Sequence, residues 1–266
     1  MKKFRFCIII SIILIVVIFI ASIIILKNYN VNTNKPIIDN GIAKLKDTVK
    51  VIPKKEINDE QILMTLNSES LYNINVADNV ELANKSDIII IGTIQSIDGF
   101  VNYNSKYDEY VFPRTVGKVK VNKVIKGDLE YDEIPFMRMG GTITISDYEK
   151  TLLPSQISKR GFNNLTEEEK NNNYVTQKMS EDIEIEEGKT YLMYMGYYDD
   201  YGAYSILYSK YGMREVEETG TNDISASSTK SILNDEYKIK IKNNTNGEYE
   251  TLDSVIPESI LKNIEL

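Results

Sequence analysis

The sequence predicts a mainly β protein, built around a five-stranded antiparallel barrel with a short helical insertion and preceded by one transmembrane helix and a stalk. Three observations lead to this prediction. Residues 6–26 form an uncharged apolar run, and residues 28–58 combine turn formers and charges without periodicity. From residue 76 onward, apolar runs of strand length recur between turn-forming residues.

The composition excludes several classes of function. The 266-residue chain has no His and one Cys, so it has no Ser-His-Asp or Cys-His catalytic pair, no imidazole-ligated metal site and no internal disulfide. Its 39 acidic and 31 basic residues give a net charge of −8, which disfavours nucleic acid as a partner. The chain also lacks a Walker loop and a dinucleotide fingerprint. We therefore expect no cofactor, no bound metal and no catalytic residues.

The N-terminal apolar run predicts a membrane anchor over residues 6–27. A helix of this length, at about 1.5 Å per residue, spans a hydrocarbon layer of about 30 Å. A cleaved signal peptide is the alternative, but its apolar core is shorter and small residues follow it, whereas bulky aliphatic residues end this run. Basic residues precede the run, so we expect a cytoplasmic tail over 1–5 and a C-terminal domain outside the cell membrane.

Residues 28–75 are predicted to form a stalk, because Asn, Pro and Lys without sustained periodicity cannot bury enough surface to order a chain. One short helix is expected there, over 59–66, where Ile62, Leu63 and Leu66 share a helical face. The heavy use of Ile, Lys, Asn and Tyr is typical of AT-rich coding sequences and favours a low-GC Gram-positive bacterium.

The predicted barrel domain covers residues 76–218 and begins with a short helix near Val80. A strand follows over 88–97, whose first four residues are apolar on both faces and therefore predict a central position in the sheet. The later elements are a loop over 98–113, strands over 115–125, 133–139, 191–198 and 203–211, helical turns near 154–160 and 166–169, and turns at 126–128 and 199–202.

Two details refine this prediction. The step from Val121 to Val124 is three residues instead of two, which predicts a β-bulge. Five main strands with one long connection, 142–182, indicate a barrel of the OB type with a helical insertion. Residues 219–266 are predicted to form a C-terminal loop, a hairpin and a helical turn that starts at Pro257.

Three segments resemble the netrin/TIMP-like OB domain. They are Ser86-Asp87 before an apolar strand that contains Gly92, the strand ending in Val124-Ile125-Lys126-Gly127, and Tyr191-Leu192 after Gly188. The resemblance covers roughly residues 77–216. It implies an OB fold and an extracellular binding role, as in uncharacterised membrane-anchored or secreted proteins of Gram-positive bacteria.

Inhibition of metalloproteases is not carried over from that family. Its inhibitors use a disulfide-bonded N-terminal Cys that reaches the zinc of the protease. The one Cys of this chain, Cys7, lies in the predicted anchor.

OB folds bind ligands in the loops after their first and fourth strands. In this chain the two loops hold aromatic and acidic residues, which we predict to be ligand-binding: Phe100, Tyr103, Tyr107, Tyr110, Asp199 and Tyr201. Two aromatic loops at one mouth would form a groove for an envelope glycan or peptide. The alternative is that the tyrosines of residues 191–211 only pair across strands.

These observations predict a non-catalytic binding module of the cell envelope, anchored in the membrane and facing outward. Its expected partners are the membrane and an envelope glycan or protein. A carboxylate-based envelope hydrolase is one alternative, because the chain is rich in acids. An accessory subunit of a membrane complex, contacted through the C-terminal hairpin, is another.

Overall fold

The computed structural model describes residues 38–39, 42–180, 182–218 and 239–264, and it shows a mainly β protein with one large sheet. The predicted cytoplasmic tail and anchor lie outside the described residues, as does the 219–231 loop. Within the described ranges, the helices are too short or too polar to cross a membrane.

The described part of the chain contains strands, short α-helices and single turns of 3-10 helix. The strands are β1 Ile38–Asp39, β2 Ile42–Ala43, β3 Ile52–Pro53, β4 Ile62–Ser68, β5 Ile88–Asn104, β6 Glu109–Lys126, β7 Glu133–Met139, β8 Gly141–Thr144, β9 Tyr174–Met179, β10 Thr190–Tyr198, β11 Ala203–Ile206, β12 Met213–Glu218, β13 Ile239–Lys242 and β14 Tyr249–Thr251. The α-helices are α1 Asn79–Lys85, α2 Ile145–Glu149, α3 Pro154–Lys159, α4 Glu167–Asn172, α5 Leu252–Val255 and α6 Glu258–Ile264. The 3-10 turns are Lys54–Glu56, Asp59–Gln61, Phe162–Asn164 and Ser209–Tyr211.

Five strands pair in a closed circuit. β5 pairs with β6 along one edge and with β10 along the other. The circuit continues from β6 to β7, from β7 to β11 and from β11 back to β10. The β7–β11 pair is parallel and the other four are antiparallel, so the expectation of a wholly antiparallel arrangement is wrong at that pair. β11 follows β10 through a short turn and runs antiparallel to it, and β11 therefore lies beside β7 in the parallel direction.

The two faces of β5 and β10 are both buried, which explains the continuous apolar run of β5. Ile88 and Ile90 pack with Met193 in the cluster enclosed by the five strands. Ile89 and Ile91 point to the other face, where α1, β12, β13 and α5 cover them. The predicted central position of this strand is confirmed, because residues 88–91 are each at most 3% exposed.

The predicted bulge is also confirmed. Ile91 pairs with Lys123 but Gly92 pairs with Val121, which leaves Asn122 as the extra residue. At this bend a Cβ on Gly92 would lie 2.5 Å from Cγ1 of Val119, so the close approach of β6 requires glycine.

The Ser86-Asp87 pair and the end of β6 connect α1 to the sheet. The Ser86 hydroxyl donates to the Leu82 carbonyl, and the Asp87 carboxylate accepts from the Tyr197 amide at 2.8 Å. Lys126 Nζ donates to the Ala83 and Ser86 carbonyls at the C-terminal end of α1. These residues of the resemblance therefore have structural roles.

Three sequence-based expectations are wrong in detail. Residues 98–113 are not a loop, since β5 and β6 continue through them as a hairpin. Residues 59–66 form a 3-10 turn and then β4, whose alternate residues are half-buried. The strand predicted over 203–211 ends at Ile206, and Tyr208, which follows it, has a left-handed backbone and lies outside the strand.

The segment between β7 and β10 is more than a helical insertion. Thr166 caps α4 in a capping box, and α3 begins at Pro154 with the left-handed Gly161 after it, as predicted. The same segment also contributes β8 and β9, which join β4 in a separate three-stranded sheet. Residues 44–75, which the composition predicts as stalk, therefore pack against the domain through β3 and β4.

Candidate functional site

The turn of the β5–β6 hairpin and the β10–β11 turn lie beside each other. Lys106 Nζ, in the first turn, is 2.7 Å from Oδ1 of Asp200 in the second. This contact raises the pKa of Lys106 and lowers the pKa of Asp200. The structure thus brings together the two loops that the sequence predicts at one mouth. We call this region, formed by residues 104–109 and 198–202 and by the side chains of Lys46 and Arg114 that contact them, the mouth.

A third segment borders the mouth. Lys46 Nζ lies 3.2 Å from Oδ1 of Asp199, and the Lys46 amide donates to the Tyr201 carbonyl at 2.9 Å. Leu45, Val49 and Val51 pack below, against the cluster that contains Tyr201. An exposed ion pair of this kind contributes at most about 1 kcal/mol, so the backbone bond and the apolar contacts hold the segment in place.

Arg114 of β6 lies at the centre of the mouth. Its guanidinium carbon is 5.3 Å from the ring centre of Tyr198 and 5.4 Å from that of Tyr201. Both distances fall within the range of cation–π contacts. The side chain is half-buried, and its Nε is buried without a hydrogen-bond partner among the described residues. Arg114 is therefore a half-buried cation in contact with two aromatic rings.

The six predicted site residues differ in position. Tyr201 is 4% exposed and forms part of the core below Arg114, whereas Tyr107 is 60% exposed at the hairpin turn. Asp199 is in the ion pair with Lys46. Phe100 packs against the cluster of β8, β9 and α2, on the face of β5 opposite to the cluster below Arg114. The structure brings Tyr107, Asp199 and Tyr201 to the mouth and directs Phe100 elsewhere.

Tyr103 and Tyr110 form a cross-strand pair in the hairpin, with ring centres 5.1 Å apart. The Tyr103 hydroxyl donates to the Asp108 carboxylate, and this bond raises the pKa of Tyr103. Lys150 Nζ donates to the Tyr110 hydroxyl at 2.9 Å and lies over its ring. Both phenols are thus engaged within the chain, as a cross-strand pair that stabilises the hairpin.

Sequence reasoning missed Arg114, Tyr198, Lys46 and Lys106 as parts of the mouth. One signal could have identified Arg114: only five of the 31 basic residues are arginine. In a chain that uses lysine almost throughout, arginine marks places where a planar guanidinium packs against other groups. All four arginines in the described ranges are buried or half-buried, in agreement with this rule.

A second concave region lies between α1 and the C-terminal helices. This cleft of about 510 Å³ is lined by polar and acidic side chains, among them Asn75, Asp78, Asp253 and Glu258. The Asp78 carboxylate accepts hydrogen bonds from the Val80 and Glu81 amides and so caps α1. Within the described ranges, no three His, Cys, Asp or Glu side chains are grouped as metal ligands would be. The mouth is the candidate site because the structure brings its two loops into contact there.

No protein-family model, no curated protein and no solved structure matches this chain.

Proposed function

We propose that this protein is a membrane-anchored binding module of the bacterial cell envelope, with a non-catalytic domain outside the membrane. The closed circuit of β5, β6, β7, β11 and β10 supports an OB-like barrel, since its loops after the first and fourth strands are the two that meet. The resemblance to netrin/TIMP-like domains and the apolar run at 6–26 are consistent with this reading.

The observation that carries the proposal is the contact between the two loops with aromatic side chains left exposed around it. Tyr107, whose ring centre lies 5.1 Å from Lys106 Nζ, is 60% exposed, and Tyr198 in the second turn is 40% exposed. Tyrosine combines an apolar ring with a polar tip, which suits contact with the faces and hydroxyls of sugars or with peptides. Large exposed rings on a fixed scaffold are typical of binding sites.

A hydrolytic role fits the mouth less well. A glycosidase of the common type needs a carboxylic acid with a raised pKa to protonate the leaving group. The Asp200 carboxylate has a lowered pKa because Lys106 donates to it. Asp199 is also engaged, with Lys46. These acids are held as ion-pair partners.

The test is sedimentation of the full chain, purified in mild detergent, with cell-wall polymer isolated from a Gram-positive bacterium. Replacing Tyr107 and Tyr198 together by Ser should weaken binding by about 5-fold to 150-fold, since each aromatic contact contributes about 0.5–1.5 kcal/mol. The matched control is Tyr249→Ser, which removes an exposed tyrosine from β14 at the other end of the strand order.

Two outcomes would overturn the proposal. Release of soluble sugar or peptide fragments from the polymer, abolished by changes to acidic residues, would establish a hydrolase. Absence of binding by the wild-type chain, together with stoichiometric co-purification of an integral membrane protein, would favour the accessory-subunit alternative.

A further inference from the structure

The guanidinium of Arg114 differs from the other arginines that the structure describes. Arg138 pairs with Asp182, and Arg214 contacts Glu250 and the Asn79 amide oxygen. Arg160 donates to the Gln156 carbonyl at 3.4 Å. Within the described ranges, Arg114 has neither a carboxylate nor a hydrogen-bond acceptor for its side chain.

Two carboxylates of the mouth are engaged in ion pairs with lysines. Asp199 pairs with Lys46, and Asp200 pairs with Lys106. The mouth also carries Asp108, which accepts from the Tyr103 hydroxyl, and Glu109, and within the described ranges neither forms an ion pair with Arg114, whose guanidinium therefore lacks a carboxylate partner. A half-buried cation is normally paired, because partial loss of water costs free energy that a counter-charge recovers.

Two tyrosine rings also fix the guanidinium in place. Tyr201 is buried and forms the floor, whereas Tyr198 is 40% exposed and leaves this side open to solvent. The donors of a guanidinium lie in one plane, and this planar fork matches the two oxygens of a carboxylate or a phosphate. Because the rings already order the side chain, little further conformational entropy is lost when an anion binds.

We propose that Arg114, held between Tyr198 and Tyr201, is the recognition site for an oxyanion group, a carboxylate or a phosphate, on the ligand of the mouth. This inference deepens the proposed function and rests on it. Envelope polymers of Gram-positive bacteria offer both groups, on peptide or sugar carboxylates and on phosphodiester chains. The neighbouring tyrosines contact the part of the polymer that carries the anion.

The test compares wild type and Arg114→Lys on four forms of one cell-wall preparation. These are untreated wall, wall without phosphate after hydrofluoric acid, wall with carboxyl groups amidated, and wall treated in both ways. Lysine keeps the charge but loses the planar fork, so we expect about tenfold weaker binding to untreated wall. Arg160→Lys, at a half-buried arginine beside Tyr148, is the control and should bind as wild type.

The difference between wild type and Arg114→Lys should disappear on doubly treated wall. The single treatment that also removes it identifies the source of the oxyanion. Equal binding of the two proteins to untreated wall would overturn the inference and leave the proposed function standing, and so would a difference that persists on doubly treated wall. Failure of the wild type to bind any form would overturn both.

A second measurement does not depend on the folding of a variant. Binding of the wild type to untreated wall should weaken as sodium chloride is raised, and sodium acetate or phosphate at equal ionic strength should compete more strongly than chloride. Affinity that is insensitive to salt and to these anions would contradict recognition by Arg114.

Discussion

The buried ion pair between Arg138 and Asp182 offers a sharp test of how the inserted segment is held to the sheet. Arg138 lies on β7 and Asp182 follows β9, and their side chains are 7% and 9% exposed. The Asp182 carboxylate also accepts a hydrogen bond from the Ile183 amide at 3.0 Å. The perturbation is Asp182→Ala, which leaves the Arg138 charge buried without its partner.

The expected loss follows from this burial. Removing one member of a buried pair costs about 3–5 kcal/mol, because the remaining charge is desolvated and uncompensated. For a domain of this size, about 1 kcal/mol shifts the melting temperature by about 2–4 °C. We therefore expect Asp182→Ala to lower the melting temperature by about 10 °C, measured by circular dichroism and by urea unfolding.

A second variant separates lost pairing from lost packing. Arg138→Met combined with Asp182→Leu removes both charges and fills similar volume, so it should recover most of the lost stability. The control is Glu184→Ala, which breaks the exposed Lys178–Glu184 pair and should cost less than about 1 kcal/mol. A loss below about 1 kcal/mol for Asp182→Ala, or a double variant no more stable than the single one, would refute the reasoning.

Two further predictions concern the sheet. Gly92→Ala places a Cβ 2.5 Å from Cγ1 of the buried Val119 and should lower the free energy of unfolding in urea by about 1–3 kcal/mol. Gly196→Ala, whose Cβ would have its nearest atom at 3.3 Å, should lower it less. Equal losses for the two variants would contradict the steric argument. Burial lowers the pKa of Lys123 to about 8, so its charged amine destabilises the folded state at pH 7 and Lys123→Met should raise stability. The gain should be only about 1 kcal/mol, because the amine stays partly hydrated in the folded state. The unfolded state holds the Lys123 proton more tightly than the folded state, so the stability of the wild type should rise from about pH 8 to pH 10.5 and the stability advantage of Lys123→Met should shrink over the same range. The control, Lys120→Met, lies at an exposed position of the same strand and should show no such trend. A stability advantage of Lys123→Met that stays constant with pH would contradict the assignment.

Hydrophobic periodicity correctly predicted the elements whose pattern of buried residues is set by near neighbours in the sequence. The run Ile88 to Ile91 has both faces covered, and the extra residue at Asn122 changes the alternation of β6, so both features can be read from the sequence. The capping box at Thr166 depends on neighbours three residues apart and is equally local. Where the structure depends on short-range patterns, the sequence is sufficient.

The failures occur where distant segments decide the structure. β4 reads as a helix because three apolar residues share a helical face, yet its pairing with β9 makes it a strand. The hairpin at 98–113 is rich in turn-forming residues, and the pairing of Tyr103 with Tyr110 nevertheless extends it. Arg114 belongs to the site only because Tyr198 and Tyr201 arrive from a turn more than eighty residues later, which no local pattern indicates.

The closed circuit of strands has a consequence for the order of folding. The second edge of β5 is paired only when β10, about a hundred residues later in the chain, hydrogen-bonds to it. Long-range pairings of this kind slow folding, because the chain loses the entropy of closing a large loop before the strand pairing contributes favourable free energy. During synthesis, the apolar edge of β5 stays unpaired until residues 190–195 have emerged, and a chain stopped earlier would present an unpaired apolar strand to neighbouring chains. Fragments that end after β7 should therefore aggregate, and a chaperone that binds extended apolar segments should bind residues 88–91 first.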